Sequence, residues 1–240
     1  MQTKLSGHKV IILCGGKGRR LGNITKKIPK PLVKVGGLTL IEHKLNFYTK
    51  QGLTDFAFCV GYKSNMLKKV LKKKYKKAIF FEGGINAGIL KRIYSARKII
   101  HKSTIISYGD TLAKINFKDL LRQHKKSKSI LSIVVAQIRH PFGLVNCNLR
   151  GEATKFEEKP VLSHFIGYAV IEPNIFDFLN KRIINLDDGK GMVKAIQKLI
   201  SKKLVNVYKF EGLQLTVNSP NELKEARTKI GKYFSLDEIL

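Results

Sequence analysis

The stretch Gly15-Gly16-Lys17-Gly18-Arg19-Arg20-Leu21 is the part of this chain best suited to hold an anion. Glycines let a backbone close on phosphate oxygens, and successive N–H groups form a positively polarised nest. Two arginines add permanent, forked cations. The run is not a dinucleotide fingerprint, which needs a third glycine where Arg20 or Leu21 stands, and GxxxxGK[ST] is absent, so it is not a P-loop. An ordinary glycine turn is the bland alternative. Downstream, Lys26-Lys27-Ile28-Pro29-Lys30-Pro31-Leu32 places Lys30 between two prolines that stiffen the segment, which suits a pyrophosphate better than a loose surface lysine would. Asp110 is the first carboxylate after a later apolar run. Mg²⁺ bound to phosphates takes one or two protein carboxylates, so Asp110 is a candidate ligand, with helix N-capping as its other reading.

These residues need elements that bring them together. His8–Cys14 is a short continuous apolar run closed by glycines, as expected of a buried parallel strand. Further strands are expected over 55–60, 78–81 and 104–108, and helices over 39–50, 65–74, 89–100 and 116–125, with 15–28 as loop. The alternation predicts a mainly parallel sheet with helices on both faces. The second half changes character, with strands over 130–138, 143–148, 153–157, 164–171, 204–210 and 213–217 and a hairpin turn at Arg150-Gly151. Helices are expected over 174–179, 191–201 and from Pro220 to about Tyr233. The tail, 235–240, either docks or frays. The expected fold class is α/β: a Rossmann-like, mostly parallel mixed sheet in three layers, one domain over 1–240. In such a sheet ligands sit beyond the carboxyl ends of the strands, where both the glycine run and Asp110 fall.

The chain has 240 residues, with 46 Lys and Arg against 17 Asp and Glu, a formal net charge of +29. That field attracts nucleotides, phosphorylated metabolites, nucleic acid or acidic lipid without choosing among them. Runs such as 72–77 and 125–128 read as solvated helix ends. No apolar run approaches the roughly 20 residues that span a bilayer, and 1–9 lacks a signal-peptide apolar region. Three scattered cysteines exclude a disulfide framework and zinc spacing, and a reducing cytoplasm is the expected compartment. Cys14 and Cys59 read as small hydrophobes, and the six histidines show no ligand spacing.

Taken in order, several stretches resemble the sugar-phosphate nucleotidylyltransferases, whose opening pattern is approximately LAGGxGTRL…PKPLxxxxGxPLI. Residues 10–45, VIILCGGKGRRLGNITKKIPKPLVKVGGLTLIEHKL, carry it. Phe58–Lys63 resembles the second strand of the glucose-1-phosphate cytidylyltransferases. Asn86-Ala87-Gly88 resembles the turn before the helix facing the base, Tyr108-Gly109-Asp110 the metal turn, and Phe142–Val145 with Phe156–Pro160 the acceptor hairpin. The match covers roughly residues 8–225.

The resemblance implies a GT-A-like nucleotidyltransferase fold, with 1–127 as nucleotide-binding half and 128–240 as acceptor-binding half. It implies a reaction in which an acceptor phosphate attacks the α-phosphorus of a nucleoside triphosphate, CTP being favoured, and pyrophosphate leaves. Arg20, Lys30 and Asp110 would be catalytic. Cys14, Gly15, Gly16, Gly18, Arg19, Glu82, Ala87, Gly88 and Gly109 would hold the nucleotide, and Glu158, Lys159, Ile166 and Gly167 the acceptor. Asp110 and Asn218 would hold Mg²⁺. The implied partners are the triphosphate and a phosphorylated small molecule, in surface-polysaccharide precursor synthesis. Three departures stand out. Asn218 replaces a carboxylate, Arg19 replaces threonine, and Ile166 occupies a slot where a polar side chain meets a sugar. The last opens non-sugar acceptors such as phosphocholine or phosphoglutamine. Two rival readings are a basic nucleic-acid-binding module, which lacks any recognisable nucleic-acid motif, and an inactive regulatory paralogue, kept open by Asn218.

Overall fold

The computed structural model describes residues 5–212 and 214–234. Leu213, at the head of the strand expected over 213–217, and the tail 235–240 lie outside them. The first half runs β1 (Lys9–Leu13), α1 (Asn23–Lys27), β2 (Lys34–Val35), β3 (Leu38–Thr39), α2 (Leu40–Lys50), β4 (Asp55–Val60), α3 (Ser64–Lys74), β5 (Ile79–Glu82), α4 (Ile89–Ser95), β6 (Thr104–Tyr108), β7 (Thr111–Ala113) and α5 (Phe117–Ser127). The second continues with β8 (Leu131–Arg139), β9 (Leu144–Cys147), β10 (Ala153–Glu157), β11 (Val161–Ile171), α6 (Lys181–Ile184), α7 (Lys190–Ser201), β12 (Val205–Phe210), β13 (Gln214–Thr216) and α8 (Pro220–Phe234).

Seven strands form one sheet in the order β12-β8-β11-β6-β1-β4-β5. Only β11 opposes its neighbours, pairing antiparallel with both β6 and β8, so the sheet is mixed and mainly parallel. After β1 the chain steps to β4 and β5 on one side, then returns to β6 on the other. That reversal opens a crevice between the carboxyl ends of β1 and β6, the position where doubly wound sheets bind ligands.

Alternation of side chains across the sheet splits the core into two layers. Val10, Ile12, Phe56 and Phe58 face one way and pack under Leu45 and Tyr48 of α2, Leu67 of α3 and Phe117 of α5. Ile11, Ala57 and Ile106 face the other way, under Leu90 and Ile93 of α4 and Met192 and Leu199 of α7. Each such buried side chain contributes about 1.5–3 kcal/mol. A smaller cluster, Leu21, Val33, Leu40, Leu112, Leu215 and Leu223, seats α8 on the β7/β13 pair. The three-layer α/β arrangement expected from the alternation is the one observed.

Several boundaries differ from expectation. The loop expected over 15–28 contains a 3₁₀ turn at Arg19–Leu21 and α1. The helix expected over 89–100 stops at Ser95, whose hydroxyl donates to Arg92 O at 2.6 Å and competes with the helical ladder; a 3₁₀ turn follows at Arg97–Ile99. The expected helix 174–179 is a 3₁₀ run, Pro173–Phe178. The strand expected from His164 starts at Val161 because it continues along β8 as an extended ribbon. The lysine runs at 72–74 and 125–126 fall in the last turns of α3 and α5, where cations complement the helix dipole. Among the described residues, no helix is long and apolar enough to cross a membrane.

Candidate active site

A cavity of about 780 Å³ opens at the β1/β6 crevice. Leu13 ends β1 within it, Cys14 follows, and the glycine turn comes next. Gly18 sits at φ +63°, where a Cβ would come within 2.9 Å of Thr25 Cγ2, so the turn needs glycine there on both counts. Thr25 fastens the turn by donating to Gly18 O at 3.0 Å. Lys17 reaches across the mouth and donates to Asn86 Oδ1 at 2.8 Å.

The opposite wall is Tyr108-Gly109-Asp110 at the end of β6. Gly109 passes so close to β1 that an added Cβ would lie 2.7 Å from Leu13 O. Lys30 Nζ donates to Asp110 Oδ2 at 2.8 Å and to Asn218 Oδ1 at 2.6 Å. Three residues separated by up to 188 positions therefore meet at one point. The antiparallel pairing of β7 with β13 carries Asn218 there, and Val217 N donates to Asp110 O at 3.0 Å. Lys30 and Asp110 are only 12% and 29% exposed, so this ion pair is screened less than a surface pair.

The structure brings Cys14, Gly15, Gly16, Gly18, Arg19, Lys30, Ala87, Gly109 and Asp110 to the cavity lining. Asn218 joins them through Lys30. Arg20 is exposed and does not line the cavity. Glu82, also outside the lining, is exposed and pairs with Lys68 and Ser64. Gly88 is buried beneath it, and a Cβ there would strike Leu186 O at 2.2 Å. Glu158 and Lys159 follow directly on the exposed β9/β10 hairpin, in the link to β11, 3.7 Å apart, and do not line the cavity either. Ile166 packs in the core and does not line the cavity. Gly167 sits at φ +78° in a bulge of β11, against the ring of Tyr108.

Sequence reasoning missed several lining residues. Asp187 and Asp188 precede α7 and put two exposed carboxylates on a cleft otherwise rich in cations. They can accept hydrogen bonds from hydroxyl or amine groups. Arg92, on the buried face of α4, also lines the cavity. Burial lowers its pKa below the usual arginine range, although a guanidinium remains charged in proteins. Its sequence signal was a glycine within two residues of the end of three strands that neighbour one another in the sheet, β1, β4 and β5: Gly15, Gly61 and Gly83, each close to the Arg92 side chain. Cys14 and Cys59 are buried and their thiols are pushed up, Cys59 to about 12, chiefly by desolvation, so neither is a thiolate nucleophile.

The donor set fits a magnesium ion bound together with phosphates. Asp110 Oδ2 and Asn218 Oδ1 are hard oxygens that already converge on a single cationic nitrogen. No group of three or more His, Cys, Asp or Glu suited to a metal exists among the described residues, so an all-protein cage is not what the cleft offers.

Comparison with known proteins agrees with this geometry. A Bacillus subtilis protein named "Probable glucose-1-phosphate cytidylyltransferase" is 28% identical over 245 residues, covering 90% of this chain and 94% of its own. A mannose-1-phosphate guanyltransferase of Schizosaccharomyces pombe is 27% identical over 229 residues, and the chain spans 62% of that relative's length. A Bacillus anthracis structure described as a glucose-1-phosphate thymidylyltransferase superposes with a TM-score of 0.73 at 19% identity, covering 92% of this chain and 94% of its own, and so shares the fold. The model of the nucleotidyl transferase family matches residues 9–216, from the first strand through the glycine turn, Lys30 and Asp110, and the chain belongs to that family.

Proposed function

We propose that the cleft binds a nucleoside triphosphate, CTP in first place, and transfers its nucleotidyl group to the phosphate of a small phosphorylated acceptor, releasing pyrophosphate. One observation carries this reading: the glycine turn, Lys30 and Asp110 converge on a single cavity at the sheet's switch point. Attack of one anion on another needs charge neutralisation and alignment more than it needs a base. The glycine backbone would cradle phosphates. Lys30 would stabilise charge at the α-phosphate, and Arg20, from the exposed rim beside cavity-lining Arg19, would neutralise the leaving pyrophosphate. Asp110 and Asn218 would hold Mg²⁺, which supplies charge neutralisation on the nucleotide oxygens when bound.

The first half of the chain would serve the nucleotide and the second half the acceptor, through Lys159 for its phosphate and Glu158, Asp187 and Asp188 for its hydroxyl or amine groups. CTP is favoured by the cytidylyltransferase relative and by the Phe58–Lys63 strand end. The acceptor class named in the relatives is a sugar 1-phosphate, and with Ile166 in the core nothing at that position opposes a sugar. The product would be a nucleotide-linked intermediate of the kind consumed in surface-polysaccharide assembly. The test is a pyrophosphate-release screen, each nucleoside triphosphate against sugar phosphates, phosphocholine and phosphoglutamine, with and without Mg²⁺. Release that requires both substrates and the metal is expected. Silence across the whole panel overturns the reading.

A further inference from the structure

Arg92 is a buried cation without a counter-charge. It is 5% exposed, yet among the described residues no carboxylate lies within ion-pair distance of its guanidinium, Asp187 and Asp188 of the same cleft included. Among the described residues it packs over no aromatic ring. Two of its donors are used: Nη1 to Val60 O at 3.0 Å and Nη2 to Ile85 O at 3.2 Å. A guanidinium has five N–H donors. The other buried cation, Lys44, shows the contrast. It donates to Thr111 O and to Tyr168 Oη and lies over the rings of Tyr48 and Tyr168.

Burying an uncompensated charge is costly, and a protein tolerates it where something else supplies the compensation. The surroundings of Arg92 indicate what that is. A Cβ on Gly15 would lie 2.0 Å from Nη1, and one on Gly61 2.5 Å from the same atom. A Cβ on Gly83 would lie 3.1 Å from Cγ. The side chain is thus clamped behind the glycine turn, between the loops that leave β1, β4 and β5, and it lines the cavity.

We propose that Arg92 is a positioning residue for the nucleotide, a fixed counter-cation behind the glycine turn whose charge is compensated by the bound phosphates. Its two carbonyl bonds set the spacing of the β4 and β5 loops, and its charge acts on the anion at short range from the cavity wall. This rests on the nucleotide reading of the cleft.

The experiment measures CTP and cytidine affinity by NMR titration in wild type, R92Q and R92K, substituting another nucleoside pair if the release screen selects a different base. Gln keeps hydrogen-bonding ability without charge, whereas Lys keeps the charge. In R92Q, CTP affinity is expected to fall about ten- to a hundredfold while cytidine affinity holds within about twofold. If CTP and cytidine weaken together, or neither weakens, the charge is not the operative property and the inference falls. Should R92Q fail to fold, R92K decides. A CTP-to-cytidine affinity ratio within about threefold of wild type upholds the inference, and a tenfold collapse of that ratio despite the retained charge overturns it. Failure of the nucleotide reading looks different: wild type itself would bind no triphosphate.

Discussion

At the scale of single residues, the proposed chemistry depends on placed charges rather than on a nucleophile and base. Asp110→Ala removes the carboxylate that Lys30 and the proposed metal share, and turnover should fall at least about a hundredfold, as for other lost electrostatic groups. Its melting temperature should fall only modestly, because Lys30 loses one partner but keeps its bond to Asn218. Pyrophosphate release read beside a thermal melt checks this, and a fully active variant removes Asp110 from the chemistry. Lys159→Ala tests the hairpin, which stands outside the cavity. The acceptor KM should rise several-fold more than the triphosphate KM in steady-state kinetics, and the opposite split would assign the hairpin to the nucleotide. The glycine turn, Lys30 and Asp110 were readable from residue type alone, because phosphate chemistry restricts which side chains serve. Arg92, Asp187 and Asp188 were not, because nothing local distinguishes a buried arginine or a cleft-lining aspartate from one on an ordinary helix or turn.

At the scale of elements, α2 shows how local chemistry supports the site. Thr39 accepts from Glu42 N, and Glu42 Oε2 accepts from Thr39 N at 2.9 Å, a capping box at the start of the helix that buries Tyr48 and Lys44 beneath β6 and β7. Thr39→Ala should cost about 1 kcal/mol in chemical denaturation. The backbone N–H of Thr39 holds the Glu42 carboxyl below its ordinary range despite partial burial. A lowered folded-state pKa stabilises at pH above the unfolded value, and that contribution disappears as pH falls through the folded value. Stability measured downward from neutral should therefore show an acid-side loss that is smaller in Glu42→Gln. The capping box was written in Thr39-Leu40-Ile41-Glu42, and the strands and main helices followed from periodicity. β13 fell within the strand expected over 213–217, but the early stop of α4, the short β7 and its pairing with β13 were not visible. The early stop depends on a Ser95 hydroxyl competing for a carbonyl, and β7 and β13 are three-residue strands that exist only through each other.

Across the whole molecule, +29 is more charge than a nucleotide site requires. Much of it sits on helix ends exposed to solvent, where like charges repel at long range. Raising salt from about 0.05 to about 0.3 M shortens the screening length. Two responses are expected, a gain in stability and a loss of affinity: the thermal midpoint rises as self-repulsion is screened, and the triphosphate KM rises as attraction to the cleft is screened. Calorimetry and kinetics in one salt series check both, and a midpoint that falls with salt would mean that local ion pairs outweigh the net field.

Residue types and spacing alone determined that this chain builds a mainly parallel α/β sheet with a glycine turn after its first strand, because hydrophobic period and glycine placement are local properties of a chain. The tertiary structure decided which residues share the cleft. Sheet order sets β6 beside β1, β13 pairs with β7 to bring Asn218 to Lys30, and α4 drives Arg92 behind three glycines, all contacts between residues far apart in the chain that no local pattern encodes.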